Sequence, residues 1–129
     1  MGSPYSYQQA FNEPQYRHLE DTSDWVVKAH HLRDDIYEII RLAKPDNLWN
    51  LEQALKRKGV EGADRISYLI EKKRVNFSTS KTQLLELRWY DKDGAELHKD
   101  IVDDPKWELE ERHVRLLRTA FKWKREGWH

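Results

Sequence analysis

The sequence predicts a small, mainly helical α+β domain, with about four helices and one antiparallel β-hairpin between the third and the last of them. Three observations lead there. Apolar residues recur at steps of three and four from Trp25 to Ala43, the period shortens to two around residues 85–101, and a strongly amphipathic charged segment follows Pro105. At 129 residues the chain is long enough for one domain with a core of its own.

The elements follow in order. Residues 1–20 hold Pro4 and Pro14, the amides Gln8, Gln9, Asn12 and Gln15, and scattered aromatics, which reads as a flexible arm ahead of a globular domain at 21–129. Helix one opens at Thr22 or Ser23, with Asp24 in its first turn. Trp25, Ala29, Leu32, Ile36, Ile39 and Ala43 lie along one side of it, Ile40 widens the stripe, and Pro45 ends it. Asp46 or Asn47 caps a second helix, "LWNLEQALKRK", with Leu48, Leu51 and Leu55 on one side and Gly59 as its stop. After "VEGAD", with Asp64 as cap, a third helix runs from Arg65 to Arg74 and buries Ile66, Leu69 and Ile70.

"QLLELRWY" then places Leu85, Leu87 and Trp89 on one face and Glu86, Arg88 and Tyr90 on the other. "DKDG" turns with Gly94 at positive φ, and "AELHKDI" returns as the partner strand. Pro105 begins the last helix, 105–126. Leu109, Val114, Leu116, Leu117, Ala120, Phe121 and Trp123 fill one half of it, and Arg112, Arg115, Arg118, Lys122 and Arg125 the other, with Lys124 snorkelling from the apolar half.

Composition narrows function. There is no Cys, so disulfides, thiolate nucleophiles and Cys-ligated zinc are excluded. No apolar run reaches the length of a membrane span, and a soluble intracellular protein, cytoplasmic or nuclear, is the expectation. His30 and His31 are adjacent, and His18, His98, His113 and His129 are scattered without ligand spacing. "GVEG" lacks the Lys and Ser of a phosphate loop. The sequence thus predicts no enzyme, no catalytic residue, no metal site and no cofactor. The 23 cations balance 23 acids, but unevenly: nine acids and three cations lie between 91 and 111, and six cations with no acid between 112 and 125.

Helix, helix, glycine-containing turn, helix and hairpin over residues 46–102 resemble the winged helix-turn-helix family in the order of elements. The resemblance implies a reading helix at 65–74, with Arg65, Tyr68 and Lys72 facing a partner and Lys73 and Arg74 closing the helix end. It implies a wing with Lys81, Arg88, Lys92 and Lys99 near phosphates, although Asp91, Asp93 and Glu96 sit at the wing's tip. Together with the basic stripe Arg112, Arg115, Arg118, Lys122 and Arg125, this gives the expected function: binding of nucleic acid, duplex DNA foremost. The alternative is a protein-interaction or assembly module, using the aromatic arm (Tyr5, Tyr7, Phe11, Tyr16) and the last helix, with a homodimer as one form of it.

Overall fold

In the computed structural model of the chain, residues 13–21, 25–43 and 48–125 are described, with side chains at 20, 21 and 122–125 left out. They are organised around an antiparallel sheet. Strands β1 (Arg17–Asp21), β2 (Trp25–Arg33), β3 (Ile36–Ala43), β4 (Ile66–Asn76), β5 (Lys81–Asp91) and β6 (Glu96–Ile101) lie side by side in chain order. The two-residue β7 (Glu108–Leu109) pairs with the start of β5 at Thr82 and Lys81. Two helices accompany the sheet among the described residues: α1 (Leu48–Arg57) and α2 (Glu111–Arg125).

The mainly helical reading is therefore corrected, because the first and third expected helices are strands. Residues 25–43 form the β2–β3 hairpin, turning at Asp34, whose φ of 45° lies in the left-handed region that Asp tolerates better than most side chains. Val26, Val27, Ile36, Ile39 and Ile40 are β-branched and suit a pleated surface. The helical spacing arose because these strands bury residues on both faces. Ile39 and Ala43 point one way and Ile40 the other, and mixed parity imitates steps of three and four.

Residues 66–76 behave alike. Leu69 and Ile70, read as one helical side, sit on opposite faces of β4, and Arg65 ends a single 3-10 turn at Ala63–Arg65. With no helix at 65–74, the winged helix-turn-helix resemblance and its reading helix fall away. That arrangement needs about three helices, and the described residues of 46–102 supply one α-helix.

Other elements stand as expected. α1 buries Leu51 and Leu55, and the β5–β6 hairpin turns with Gly94 at φ 85°. The last helix starts at Glu111 instead of 105, because residues 108–109 are drawn into the sheet as β7. Residues 17–20, read with the arm, belong to β1. Residues 1–12 and the expected caps and stops at 22–24, 44–47 and 126–129 lie outside the described residues.

α1 closes in an orderly way. The amides of Lys58 and Val60 donate to the Leu55 carbonyl and that of Gly59 to Lys56, with Gly59 at φ 73° and open space where a Cβ would stand. Gly59→Ala is expected to cost about 1 kcal/mol from backbone strain alone, seen as a lower urea midpoint at unchanged slope.

Both helices pack on one face of the sheet. α2 brings Val114, Leu117 and Phe121 onto Leu19, Val27, Ala29, Ile39 and Val75, while α1 brings Leu51 and Leu55 onto Ala43, Ile66, Leu69 and Trp89. Ile39 and Ala43 on β3, like Leu69 and Val75 on β4, are separated by even steps, which fixes the shared face. The opposite face carries Ile40, Ile70 and Tyr90, with Tyr16 packed on them.

Candidate functional site

The residues expected to read a partner are split between the two faces. Alternation along β4 sends Tyr68, Lys72 and Arg74 to the face without α1 and α2, and Lys73 to the helix-covered face, where it is buried. Arg65 is exposed on the 3-10 turn. The structure does not bring these five into one contact surface.

The cations of the second face are largely neutralised by neighbouring strands. Lys72 lies 3.8 Å from Glu38 and 3.7 Å from Glu86, and Arg88 lies 2.9 Å from Glu86 and 3.8 Å from Glu96. The Tyr16 hydroxyl donates to Glu38, and burial, then this contact with a carboxylate, raises its pKa well above the usual phenol value. Arg74 donates to the Gln83 side chain. Signs alternate across β3, β4, β5 and β6, so this ladder chiefly sets strand register.

The second group lies in the seam between α1 and α2. Arg41 of β3 contacts Glu71 of β4 at 2.9 Å and stacks over Trp25 at 4.1 Å. Glu71 also lies 3.9 Å from Lys73, which reaches Glu110 at 3.2 Å, and Glu110 accepts from the Thr82 hydroxyl. Burial pushes the Glu110 carboxyl up, but the Thr82 hydroxyl and the Lys73 ammonium outweigh it and hold the group below its ordinary value. The Glu110 carbonyl accepts the Val114 amide at 2.9 Å, so the residue just before α2 joins the helix's first turn and also anchors it to β4 and β5. His113, one turn on, has an Nε2 that is buried without a hydrogen-bond partner. Glu71, Lys73, Thr82, Leu84 and every second residue from Val102 to Glu110 line an adjoining cleft of about 380 Å³.

Sequence reasoning missed this seam. A helix at 65–74 puts Lys72, Lys73 and Arg74 together on an exposed, partner-facing helix end. Period two instead sends Glu71 and Lys73 to the same face as Leu69 and Val75, and that alternation was the available signal. Nothing local marks Arg41 or Thr82 as their partners.

The third group is the outer side of α2. Val114, Leu117 and Phe121 face inward, while Arg112, Arg115, Leu116 and Arg118 are exposed. Arg118 donates to the Phe77 carbonyl and lies 6.0 Å from its ring, which fixes part of its side chain. Arg112 and Arg115 have no acidic partner among the described residues. Lys122 and Arg125 are helical in backbone, and their side chains are outside the description. The basic stripe is thus carried by Arg112, Arg115 and Arg118.

No protein-family model matches the chain, and no curated protein and no solved structure is significantly similar to it. Among the described residues no group of three or more His, Asp or Glu side chains is arranged to hold a metal ion, and no helix is long and apolar enough to cross a membrane.

Proposed function

We propose that the protein is a non-catalytic binding module that holds the phosphate backbone of nucleic acid on the outer side of α2. The observation that carries this is the placement of Arg112 and Arg115, exposed and free of acidic partners among the described residues, with Arg118 beside them. Steps of three along a helix advance roughly 4.5 Å each and keep side chains on one broad side, so the three guanidiniums form a short cationic row. Guanidinium is suited to phosphate oxygens through its forked donors. The second face contributes little, because its acids already hold Lys72 and Arg88. Such a row positions a backbone without reading bases, so the binding is weak, insensitive to sequence and sensitive to salt.

The test is affinity for short duplex and single-stranded DNA as a function of salt. Three phosphate contacts give a log-log slope of about −2 to −3, and Arg112→Glu with Arg115→Glu is expected to flatten it to about −1 or abolish binding. Arg57→Glu, an exposed charge change on α1, should leave it unchanged. Absence of binding at low salt removes the reading.

A second reading has its own observation: Leu109 and Leu116 are 62% and 61% exposed. Arginines beside exposed leucines also suit a protein interface, with an acidic surface as the partner. Binding that survives high salt and fails on Leu116→Ser would favour it.

A further inference from the structure

We propose that protonation of His113 is an acid-triggered release for the first turns of α2, so that the helix start is held against the sheet, and the arginine row on its outer side kept rigid, only while this ring is neutral. As regulation of the arginine row this rests on the function proposed above; as a motion of α2 it does not.

The geometry is that of a half-buried ring with one nitrogen shut away from any partner. His113 is in the first turns of α2, followed directly by Val114, which is fully buried against the sheet. Its Nε2 is buried without a partner. The charged groups acting on it are Arg41 from β3, Lys73 from β4 and Glu110 just before the helix, with Glu71 of β4 behind them as the acid beside Arg41 and Lys73. Both acids already have cations beside them: Glu71 lies 2.9 Å from Arg41 and 3.9 Å from Lys73, although its Oε1 accepts no hydrogen bond, and Glu110 holds Lys73 and Thr82. Protonation of His113 therefore adds a third cation beside two, and in the imidazolium, which carries a proton on both nitrogens, the buried Nε2–H has no hydrogen-bond partner.

Burial first, then Arg41 and Lys73, lower the ring to about 4 from its ordinary 6.5, against a smaller upward pull from Glu110. The sign follows from linkage. A histidine depressed in the closed state takes its proton more readily once released, so closure is fully favoured above about pH 6.5 and weakens as pH falls from 6.5 toward 4. Glu110, held low, stays ionised across the upper part of this window and does not mask the effect.

Opening spreads no further than the first turns. Phe121, farther along, remains pinned by Tyr37 and Phe77, with ring centroids at 4.6 and 4.9 Å. Arg112, Arg115 and Leu116 lie in the stretch that loosens, so the same protonation that frees the helix start disperses the cationic row.

Amide hydrogen exchange of the full chain, without nucleic acid and corrected for intrinsic rates, tests this at residues 114–117 against 119–121. Local opening at 114–117 is expected to rise about thirtyfold between pH 7.5 and pH 5, with little change at 119–121. In His113→Gln, which cannot take the charge, the pH dependence should disappear. Titration of the His113 ring by NMR in the unaltered chain decides the matter even where that variant folds poorly. A midpoint well below 6.5 supports the release, and a midpoint near 6.5, or equal protection at both pH values, overturns it. Neither measurement involves a nucleic acid, so failure of the binding reading leaves this result intact, and the reverse.

Discussion

Replacing Phe121 with alanine is expected to lower the unfolding free energy by about 3–5 kcal/mol, the largest single-residue loss on α2. The ring is buried at the centre of an aromatic group, edge-on to Tyr37 on β3 and to Phe77 at the end of β4, and it packs with Val114 and Leu117 on Val75 and Ile39. Truncation removes dispersion contacts on three sides and leaves a void that sheet residues, fixed by cross-strand pairing, cannot close. For a domain of 129 residues this corresponds to a fall in Tm of roughly 10–20 °C. Leu116→Ala, five residues back and exposed, is the control and should change stability by less than about 0.5 kcal/mol. Equal losses for the two variants would mean that α2 is seated on the sheet by a different side.

Glu71→Leu is expected to cost about 3 kcal/mol, for a different reason. Its carboxylate stands between Arg41 and Lys73 in the seam, and all three side chains keep less than a fifth of their exposure. Removing it leaves the Arg41 guanidinium desolvated without an acid, whereas Lys73 keeps Glu110. The double change Arg41→Met with Glu71→Leu removes both members of the 2.9 Å pair and should recover most of the loss, because an apolar pair of similar volume carries no desolvation penalty. Arg41 also stacks on Trp25, so recovery is expected to stop short of complete by several tenths of a kcal/mol. Urea unfolding of parent, both single variants and the double gives the coupling directly. Additive losses would show that Arg41 and Glu71 do not act as a pair.

The two expectations concern the same helix from opposite ends. Phe121 fixes the far part of α2 by packing, and the Glu110–Lys73–Glu71–Arg41 chain fixes its start by charge. Only the start is sensitive to acid.

Legibility in the sequence followed the burial of each segment. α1 has one buried side, and its leucines at 48, 51 and 55 with Gly59 behind them state a helix and its end without help from the rest of the chain. The β5–β6 hairpin was equally plain, since strict alternation around "DKDG" admits few other forms. β2, β3 and β4 were misread because they are interior strands with apolar residues on both faces, so the period-two signal is blurred and a period near 3.6 fits as well. The Asp34–Asp35 turn was passed over because neither residue is the glycine that such a turn usually advertises.

The site divided along the same line. Arg112, Arg115 and Arg118 were legible as one side of a helix that does form, whereas Arg65, Tyr68, Lys72, Lys73 and Arg74 were assigned to a helix that does not. Once residue 72 and residue 73 alternate across a sheet, one enters a ladder with Glu38 and Glu86 and the other enters the seam with Glu110.

By itself the sequence determined the local elements whose single buried side or turn chemistry is written in adjacent residues: α1, the β5–β6 hairpin, α2 and the arginines along it. Only the tertiary structure decided that residues 25–43 and 66–76 are strands, that both helices share a face, and that Arg41, Glu71, Lys73, Thr82, Glu110 and His113 meet. The reason is physical: strand pairing and buried charge pairing are set by residues tens of positions apart, and no local period encodes which of them will be neighbours.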